Sequence, residues 1–507
     1  MTTSNLDQTL RELAAFCASR GVSAWLIGGA ARDIARGVAP VDLDLAVDGD
    51  GIELARAIAD RLGGTFVPLD GEHSTGRAVI PARVDAPALV IDVARLRAPT
   101  IEGDLRLRDF TVNALAIPLD DPWPDSRLLM PDSFIDPTGG LADLRAGVLR
   151  AGGPTSMADD PLRTLRAARL GAALGLRAAP ELAGQIRAAA PGLSRVAGER
   201  LRDELLKLLD SPASALWLRY LDTCGALTIV LPELEPARAC DQPKIHFLPV
   251  LAHMLETVAS LEWVLRGLGD AWAADDAPEE LPVAVRANPG LPRDLPYAER
   301  YAALMGEHRG GGRRRAAMLK LAVLIHDNAK PQTKQVHADG KVSFYGHQEI
   351  GADVATEICR RLRMSRQDTS YVTLVVREHM RPGQLRTGEV VTARAVARFF
   401  RDLGDAGPDV LLHELADHMA TRGPHLRPDH WQAHMAWVGA MLDAHWGLPE
   451  ERRAPLLRGT DLMDVLGLPP GPHIGALLRA IAEAQAAGEI ASREEAIELA
   501  RGMREGS

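Results

Sequence analysis

Between about residues 22 and 117 the apolar positions fall in short runs, AWLIGG, DLDLAV, TFVPLD, RAVIPARV and ALVIDVARL, whose length and composition predict β-strands. GIELARAIADRLGG, set among them, carries its apolar residues at helical spacing and closes on glycine. The opening stretch, MTTSNLDQTLRELAAFCASRG, reads as a capped amphipathic helix. Beyond Asp159 the strand signals stop, and alanine, leucine and arginine at helical spacing take over. The pattern predicts an α+β fold in which a mixed β-sheet head is followed by an all-helical neck and body. We divide the chain into a head over 1–150, a neck over 151–235, a body over 236–430 and a helical tail over 431–507. Residues 268–298, rich in proline, glycine and acids, break the helical pattern and are expected to form an exposed insertion or linker. RGGGRRR at 309–315 predicts a flexible basic turn, solvated in one reading and touching RNA phosphate in the other.

At 507 residues the chain exceeds what one hydrophobic core supports, so two to four domains are expected. Lys and Arg total 58 against 68 Asp and Glu, a net charge of −10. That balance argues mildly against a nucleic-acid partner, but a local basic face is what matters there. Arginine-rich stretches occur from Arg145 to Arg202 and at Arg313, Arg314 and Arg315. The four cysteines, Cys17, Cys224, Cys240 and Cys359, lie far apart without a CxxC pair and read as buried thiols of a reduced compartment. With no secretory pattern at the start and no apolar run of the roughly 20 residues that span a bilayer, a cytoplasmic protein without membrane partners is expected. Nothing in the sequence sets an oligomeric state.

The strongest chemical signal is VDLDLAV. On a strand Asp42 and Asp44 would share one face while Val41, Leu43 and Leu45 turn into a core. Two hard carboxylate oxygens on a rigid edge suit magnesium, whose shell is usually completed by phosphate oxygens. The Gly28–Gly29 pair of LIGGAARD lets backbone amides approach a triphosphate, with Arg32 nearby to hold its charge. Asp92, sharing a strand face with Val90 and Ala94, is a candidate third carboxylate. These features predict an enzyme acting on a nucleoside triphosphate.

Taken with IDVARLR, RLRDFTVNALAI, IDPTGGLADLRAGVLR and DDPLRTLRAARLGAALGL, the chain resembles the tRNA nucleotidyltransferase and poly(A) polymerase family, specifically the bacterial and eukaryotic class of CCA-adding enzymes within the polymerase β superfamily. The resemblance implies a nucleotidyltransferase head in which Gly28 and Gly29 cradle the triphosphate and Asp42 and Asp44 hold the catalytic Mg2+. It implies sugar and triphosphate contacts from Arg108, Asp109, Phe110, Thr111 and Asn113. Asp136, Gly139, Gly140 and Asp143 match the hinge between head and neck. Asp159, Asp160 and Arg163 match a base-reading helix continued by Arg166 and Arg169, and Arg195, Glu199 and Arg200 match a block that braces this helix and touches RNA. Physically, Asp160 and Arg163 are three apart and would be neighbours on a helical face. A carboxylate there accepts from the amine shared by cytosine and adenine, and the guanidinium donates to ring acceptors. Glu199 and Arg202 have the same spacing and would form a surface pair.

The activity implied is template-independent addition of CMP and AMP to the tRNA 3' end from CTP and ATP, with pyrophosphate release. CC-adding, A-adding and poly(A) polymerase activities, and a silent RNA-binding scaffold, are the alternatives. Two departures bear on them. Leu107 precedes Arg108 where relatives often have a second arginine, and on a strand Arg106 would point to the opposite face. Only RAPTIEGDL, Arg97 to Leu105, separates IDVARL from RLRDFT, where many CCA-adding relatives have a longer flexible segment. A segment too short to swing would leave addition of C residues only, as in the family's CC-adding members, whereas other branches with short segments still complete CCA.

In the body His326 and Asp327 end the apolar run LKLAVLIHD, which is uncommon because burying charge without a partner is costly. With His253 and Asp417 they resemble the HD phosphohydrolase domain, which implies a divalent metal held by two histidines and two aspartates. His347 and His379 match further histidines of that pattern, for a second metal or for phosphate. Imidazole and carboxylate suit nickel, manganese, zinc or magnesium. Asn328 and Ala329 follow the pair where glycine is usual at the second position. An active domain would hydrolyse phosphoesters such as a 2',3'-cyclic phosphate, and a degenerate one would serve as scaffold. Gly459, Asp461, Leu462, Gly467, Gly471, Pro472 and Gly475 match the tail of such enzymes, where free amides could meet a phosphate backbone or an αα hairpin could cap the body.

Overall fold

The computed structural model describes residues 3–82, 87–126, 129–269, 280–310, 312–386, 391–447, 455–486 and 488–505. These form two compact units, Met1–Val196 with Leu221–Ile229, and Ala197–Tyr220 with Val230–Ser507.

The first unit is built on one six-stranded mixed sheet, with β1 (Ala24–Ile27), β2 (Leu43–Val47), β3 (Thr65–Asp70), β4 (Thr75–Ile80), β5 (Leu89–Arg95) and β6 (Ala116–Pro118) in the order β3-β4-β5-β2-β1-β6. β2 and β5 are parallel and the other neighbours antiparallel. Alternation divides the strands between two faces. Leu43, Leu45, Val47, Ala78, Ile91 and Val93 share one core with Leu6, Leu10 and Leu13 of α1 (Thr3–Ser19) and Leu54, Ala55 and Ile58 of α3 (Gly51–Leu62). Ile27, Ala46, Ala114 and Ala116 form a second, smaller core with Ile101 and Leu105 of α4 (Ile101–Arg106). Asp44 and Asp92 project on this second side of their strands, between the apolar residues. Between β1 and β2 lies α2 (Gly28–Ala35).

Several expectations are corrected here. β2 begins at Leu43, so Val41 is not a core residue but 80% exposed, and Asp42 precedes the strand. The physical reason is the register: β5 pairs with β2 only from Leu43, and β1 only from Leu45, so no ladder orients residues 41 and 42. Arg106 lies on no strand, because the short connection from Arg97 contains α4, whose N-cap Thr100 accepts from Gly103 N at 3.2 Å. Strands do recur beyond Asp159, as two-residue pairs: Val148–Leu149 with Arg177–Ala178, and Gln335–Val336 with Val342–Ser343. The end of RAVIPARV lies outside the described residues.

Among its described residues the second unit carries helices and the small Gln335–Ser343 hairpin. Its central helix Arg315–Ile325 is buried along its whole length, and the two charges that this brings inside are paired: Arg315 with Asp409 at 2.8 Å and Lys320 with Glu262 at 2.7 Å. The turn itself keeps Gly310 and Gly312 exposed, while three of its arginines have partners: Arg315 as above, Arg314 with Asp210, and Arg309 over the Tyr371 ring. Of the 268–298 segment, 270–279 lie outside the described residues. The rest is not an exposed linker: Ala284, Val285, Leu291 and Leu295 are buried, with a short helix at Val283–Ala287. In the tail, helices Gly459–Leu466, Pro472–Ala486 and Arg493–Glu505 share a core of Leu462, Leu466, Ile474, Ile481, Ala496 and Ala500. All four cysteines are free and buried. Among the described residues no helix is long and apolar enough to cross a membrane.

Candidate functional site

In the first unit the sheet register gathers the chemistry. Asp44 on β2 stands opposite Asp92 on β5, and Asp92 opposite Arg77 on β4. Beside them β1 runs straight into α2 through Gly28, whose φ of +66° suits a residue without a side chain. A Cβ at Gly28 would stand 3.4 Å from Arg108 Nη1 and 3.5 Å from Asp44 Oδ2, filling the space that a ligand would use. Gly28, Gly29, Asp44, Asp92, Arg108 and Asp109 line a cavity of about 300 Å3, which Asn113 and Arg166 complete.

The walls are held by a polar chain. Arg32 Nη1 donates to Asn113 Oδ1 at 2.8 Å, Asn113 Nδ2 to Asp109 Oδ1 at 3.2 Å, and Arg166 Nη2 lies 2.7 Å from Asp109 Oδ2. On the other side the buried Asp104 of α4 accepts from Arg97 Nε at 3.1 Å and from Arg108 Nη2 at 2.9 Å. Burial, then the neighbouring Asp92, raises the Asp44 carboxyl to about 6, against the pull of Arg108. Burial and then Asp92 raise Asp42 too, with Arg77 opposing. Asp92 thus raises both Asp42 and Asp44, and the hard oxygens gathered here fit a divalent cation such as Mg2+.

The predicted base-reading pair is not on one helical face. Asp160 lies between α6 (Ser156–Asp159) and α7 (Arg163–Leu174) in extended backbone, where Oδ1 accepts from Leu162 N at 3.1 Å. Pro161 follows it, and the residue before a proline is driven out of the helical region. Arg163 opens α7 and donates from Nη1 to Ser156 O and Oγ at 3.1 and 2.9 Å. Arg166 and Arg169 follow on α7, and Arg166 alone of the two lines the cavity. The hinge carboxylate Asp136 accepts from Gly140 N and Leu141 N, capping α5 (Gly140–Arg145). Arg195 ends a 3-10 turn at Ala190–Arg195 in the first unit, whereas Glu199 and Arg200 belong to a helix of the second. Arg202 does not take Glu199 as its partner; it donates to Asp203 and to the Arg363 carbonyl. Sequence reasoning missed Arg77 and Asp104, although the alternation of GRAVI already set Arg77 opposite in face to Gly76 and Ala78.

The second unit brings its predicted ligands together. His253 Nε2 is 2.9 Å from Asp417 Oδ1 and 3.7 Å from Asp327 Oδ2, and His326 Nε2 is 3.2 Å from Asp327 Oδ2. On the other side of the same carboxylate, Asp327 Oδ1 is 3.4 Å from His347 Nε2 and 3.7 Å from His379 Nε2. Two groups have their donor atoms close enough to share an ion, His253 with His326 and Asp417, and His326 with Asp327 and His379. Both Asp327 oxygens are buried and without a hydrogen bond of good geometry, so the donor set fits a divalent metal. Burial alone would raise Asp327, but His326 and then Lys330, whose Nζ is 2.6 Å away, hold it well below the usual carboxylate range. Burial, then His326, lowers His379 to about 3, which leaves a neutral imidazole ready to ligate. A cavity of about 530 Å3 opens over the cluster, bounded by Lys330, Tyr345, Arg386, Glu414 and Arg422. His413, whose ring lies 4.7 Å from that of His326, went unnoticed in LLHELADHM despite standing one helical turn before Asp417.

Residues 24–150 match the poly A polymerase head domain, 175–238 the probable RNA and SrmB-binding site of polymerase A, and 297–466 the HD domain. The chain is 35% identical over 479 residues to the A-adding tRNA nucleotidyltransferase of Deinococcus radiodurans, covering 93% of each chain. It is 31% identical over 481 residues to the CC-adding tRNA nucleotidyltransferase of Thermus thermophilus, covering 93% of this chain and 92% of that one. In fold it is similar to a CCA-adding enzyme solved with CTP, with a TM-score of 0.62 and 21% identity over 98% of this chain and 95% of that one. The Thermotoga maritima CCA-adding enzyme solved with tRNA gives a TM-score of 0.60 at 20% identity, over 98% and 95%. The chain therefore belongs to the tRNA nucleotidyltransferase and poly(A) polymerase family of the polymerase β superfamily, and it carries an HD domain.

Proposed function

We propose that this protein adds CMP and AMP to the 3' end of tRNA, taking them from CTP and ATP and releasing pyrophosphate. The observation that carries the reading is the placement of Asp44 and Asp92 side by side, next to the open backbone of Gly28. The RNA 3' hydroxyl would attack the α-phosphorus, forming a new P–O bond as the bond to the β-phosphate breaks. Asp42 and Asp44, with Asp92 beside them, would hold Mg2+, which when bound supplies Lewis-acid help to both oxygens of the displacement. Gly28, Gly29, Arg32, Arg108 and Asn113 would receive the triphosphate and sugar, and Asp109 would position Arg166 and Asn113. Asp160 and Arg163 would select the base from adjoining segments, each held by its own backbone or side-chain contacts. Arg169, Arg195, Glu199 and Arg200 are assigned to RNA contact or support through the family pattern alone.

A second reading, addition of C only or of A only, is favoured by α4. The connection that would have to swing between two bases is a capped helix pinned through Asp104 to both Arg97 and Arg108. The names of the Deinococcus and Thermus relatives support restriction of this kind. Incorporation of labelled CTP and ATP on three tRNAs, ending before the first C, after it and after the second C, separates the readings. Extension of all three to CCA supports full addition. Failure on the last alone makes the enzyme CC-adding, and success on the last alone makes it A-adding. Long A tails would move it to poly(A) polymerase, and tRNA binding without incorporation would reduce it to a scaffold.

For the HD domain we infer a metal-dependent phosphohydrolase acting on phosphoesters such as a 2',3'-cyclic phosphate at a tRNA end. His253, His326, Asp327 and Asp417 would hold one metal, and His347 and His379 would serve the other edge of Asp327. Opening of a 2',3'-cyclic phosphate to the 2'- or 3'-phosphomonoester that is lost on His326→Ala and retained on Asp44→Asn supports this; opening that survives His326→Ala refutes it.

A further inference from the structure

The carboxylate row of the first unit brings its own cation. Arg77, Asp92 and Asp44 occupy facing positions on three adjacent strands, so their side chains stand in line across one face of the sheet. Arg77 Nε donates to Asp92 Oδ1 at 2.7 Å and Nη2 to Asp92 Oδ2 at 2.8 Å, a two-pronged pair that engages both oxygens. The other guanidiniums around the cavity are committed elsewhere: Arg108 to Asp104, Arg32 to Asp33 and Asn113, and Arg166 to Asp109. Arg77, by contrast, gives its hydrogen bonds to the row itself, and its field extends to Asp42 and Asp44.

We propose that Arg77 is the resident counter-cation of the nucleotidyl-transfer site, neutralising Asp92 and thereby weakening the hold of the nucleotide-free head on divalent cations. The proposal rests on the nucleotidyl-transfer reading of these carboxylates. With Arg77 in place, Asp92 is neutralised and Asp42 and Asp44 share part of the same positive field, so an ion binds firmly only once triphosphate oxygens complete its shell. Without Arg77, three negative charges face one point, and the free head would trap ions and hold them after each turnover. The side chain is 40% exposed, so it can change partner without opening the core. A mere brace between β4 and β5 would serve the sheet equally well with or without an ion.

The test is Mn2+ binding to the full chain without nucleotide, followed by electron paramagnetic resonance, with a parallel titration of His326→Ala to identify the ions bound by the HD cluster. Arg77→Gln should tighten the head sites roughly fivefold to tenfold, the size expected for loss of one unit charge in a half-exposed setting. Arg77→Lys, which keeps the charge, should stay within about twofold of the parent. Arg77→Met, of similar length and no charge, should repeat the tightening, and it replaces Arg77→Gln if that variant does not fold. Unchanged affinity in the folded neutral variant, while Asp44→Asn still weakens the head sites, overturns the role of Arg77 and leaves the site standing. Unchanged affinity in Asp44→Asn overturns the underlying assignment of the carboxylates as well.

Discussion

Asp44 and Asp92 face each other across the parallel pair β2 and β5, and this closeness adds to burial in holding the Asp44 carboxyl near 6 rather than its ordinary 3.8. A position that keeps its proton more tightly when folded than when unfolded is most favourable to the fold in acid. Its contribution is lost as pH rises from about 4 through about 6, because the folded state then has to accept a charge that water accepts more easily.

Asp44→Asn is therefore expected to stabilise the first unit in chelator at pH 8, by up to about 3 kcal/mol for a carboxyl raised from 3.8 to about 6. The gain should vanish towards pH 4, where the parent carboxyl is already neutral, and should shrink when Mg2+ is supplied. Urea unfolding at both pH values measures it, and nucleotide incorporation by the same variant should be lost. A variant that gains stability while losing activity marks a functional strain; a loss of stability at pH 8 would contradict the electrostatic account.

Most of this site was legible because it depends on period-two alternation and on side chains with few other uses. DLDLAV announced β2, and LIHD announced a metal cluster through the cost of burying charge. What escaped notice depends on partners distant in sequence. Arg77 is meaningful only once β4 is set against β5. Asp104 looked like part of a loop until Thr100 capped α4 and two arginines converged on it. Val41 and Asp160 were misplaced because periodicity does not say where a ladder begins or a helix breaks, and pairing register and Pro161 decide those.

Asp104→Ala should cost about 3 kcal/mol, since it strands Arg108 and Arg97 beside a buried position. Thr100→Ala, which removes only the cap, should cost about 1 kcal/mol. If α4 serves to aim Arg108 at the triphosphate, Asp104→Ala should also raise KM for the nucleotide more than it lowers kcat. Equal losses in both variants, or a change in kcat alone, would argue against that role.

His379 tests the second unit. Its imidazole is held near 3 by burial first and His326 second, below the ordinary 6.5, so the metal-free fold loses stability as pH falls below about 6.5 and the unfolded chain takes up a proton. His379→Gln should flatten the pH dependence of stability between pH 6.5 and 5 by up to about 1.4 kcal/mol per pH unit, the value of one proton. It should also reduce bound metal after dialysis against a limiting divalent ion, and leave 3'-end addition intact. A pH slope identical to the parent's would show that this histidine does not titrate with unfolding.

The last expectation concerns the basic turn. Arg315 is 2% exposed; its Nε donates to Asp409 Oδ2 at 2.8 Å, and Tyr371 Oη donates to the same oxygen at 2.6 Å. A guanidinium so enclosed cannot also bind a phosphate chain, so Arg315→Ala should leave the affinity of folded protein for tRNA, and its salt dependence, unchanged. The cost should fall on stability instead, about 3 to 5 kcal/mol, because Asp409 would remain buried without its counter-charge. Replacing both partners by apolar residues, as in Arg315→Met with Asp409→Leu, should recover most of that loss, since a buried pair exchanged whole for packed side chains is often close to neutral. If the single variant unfolded no more easily and bound tRNA less well, the turn would be an RNA contact after all.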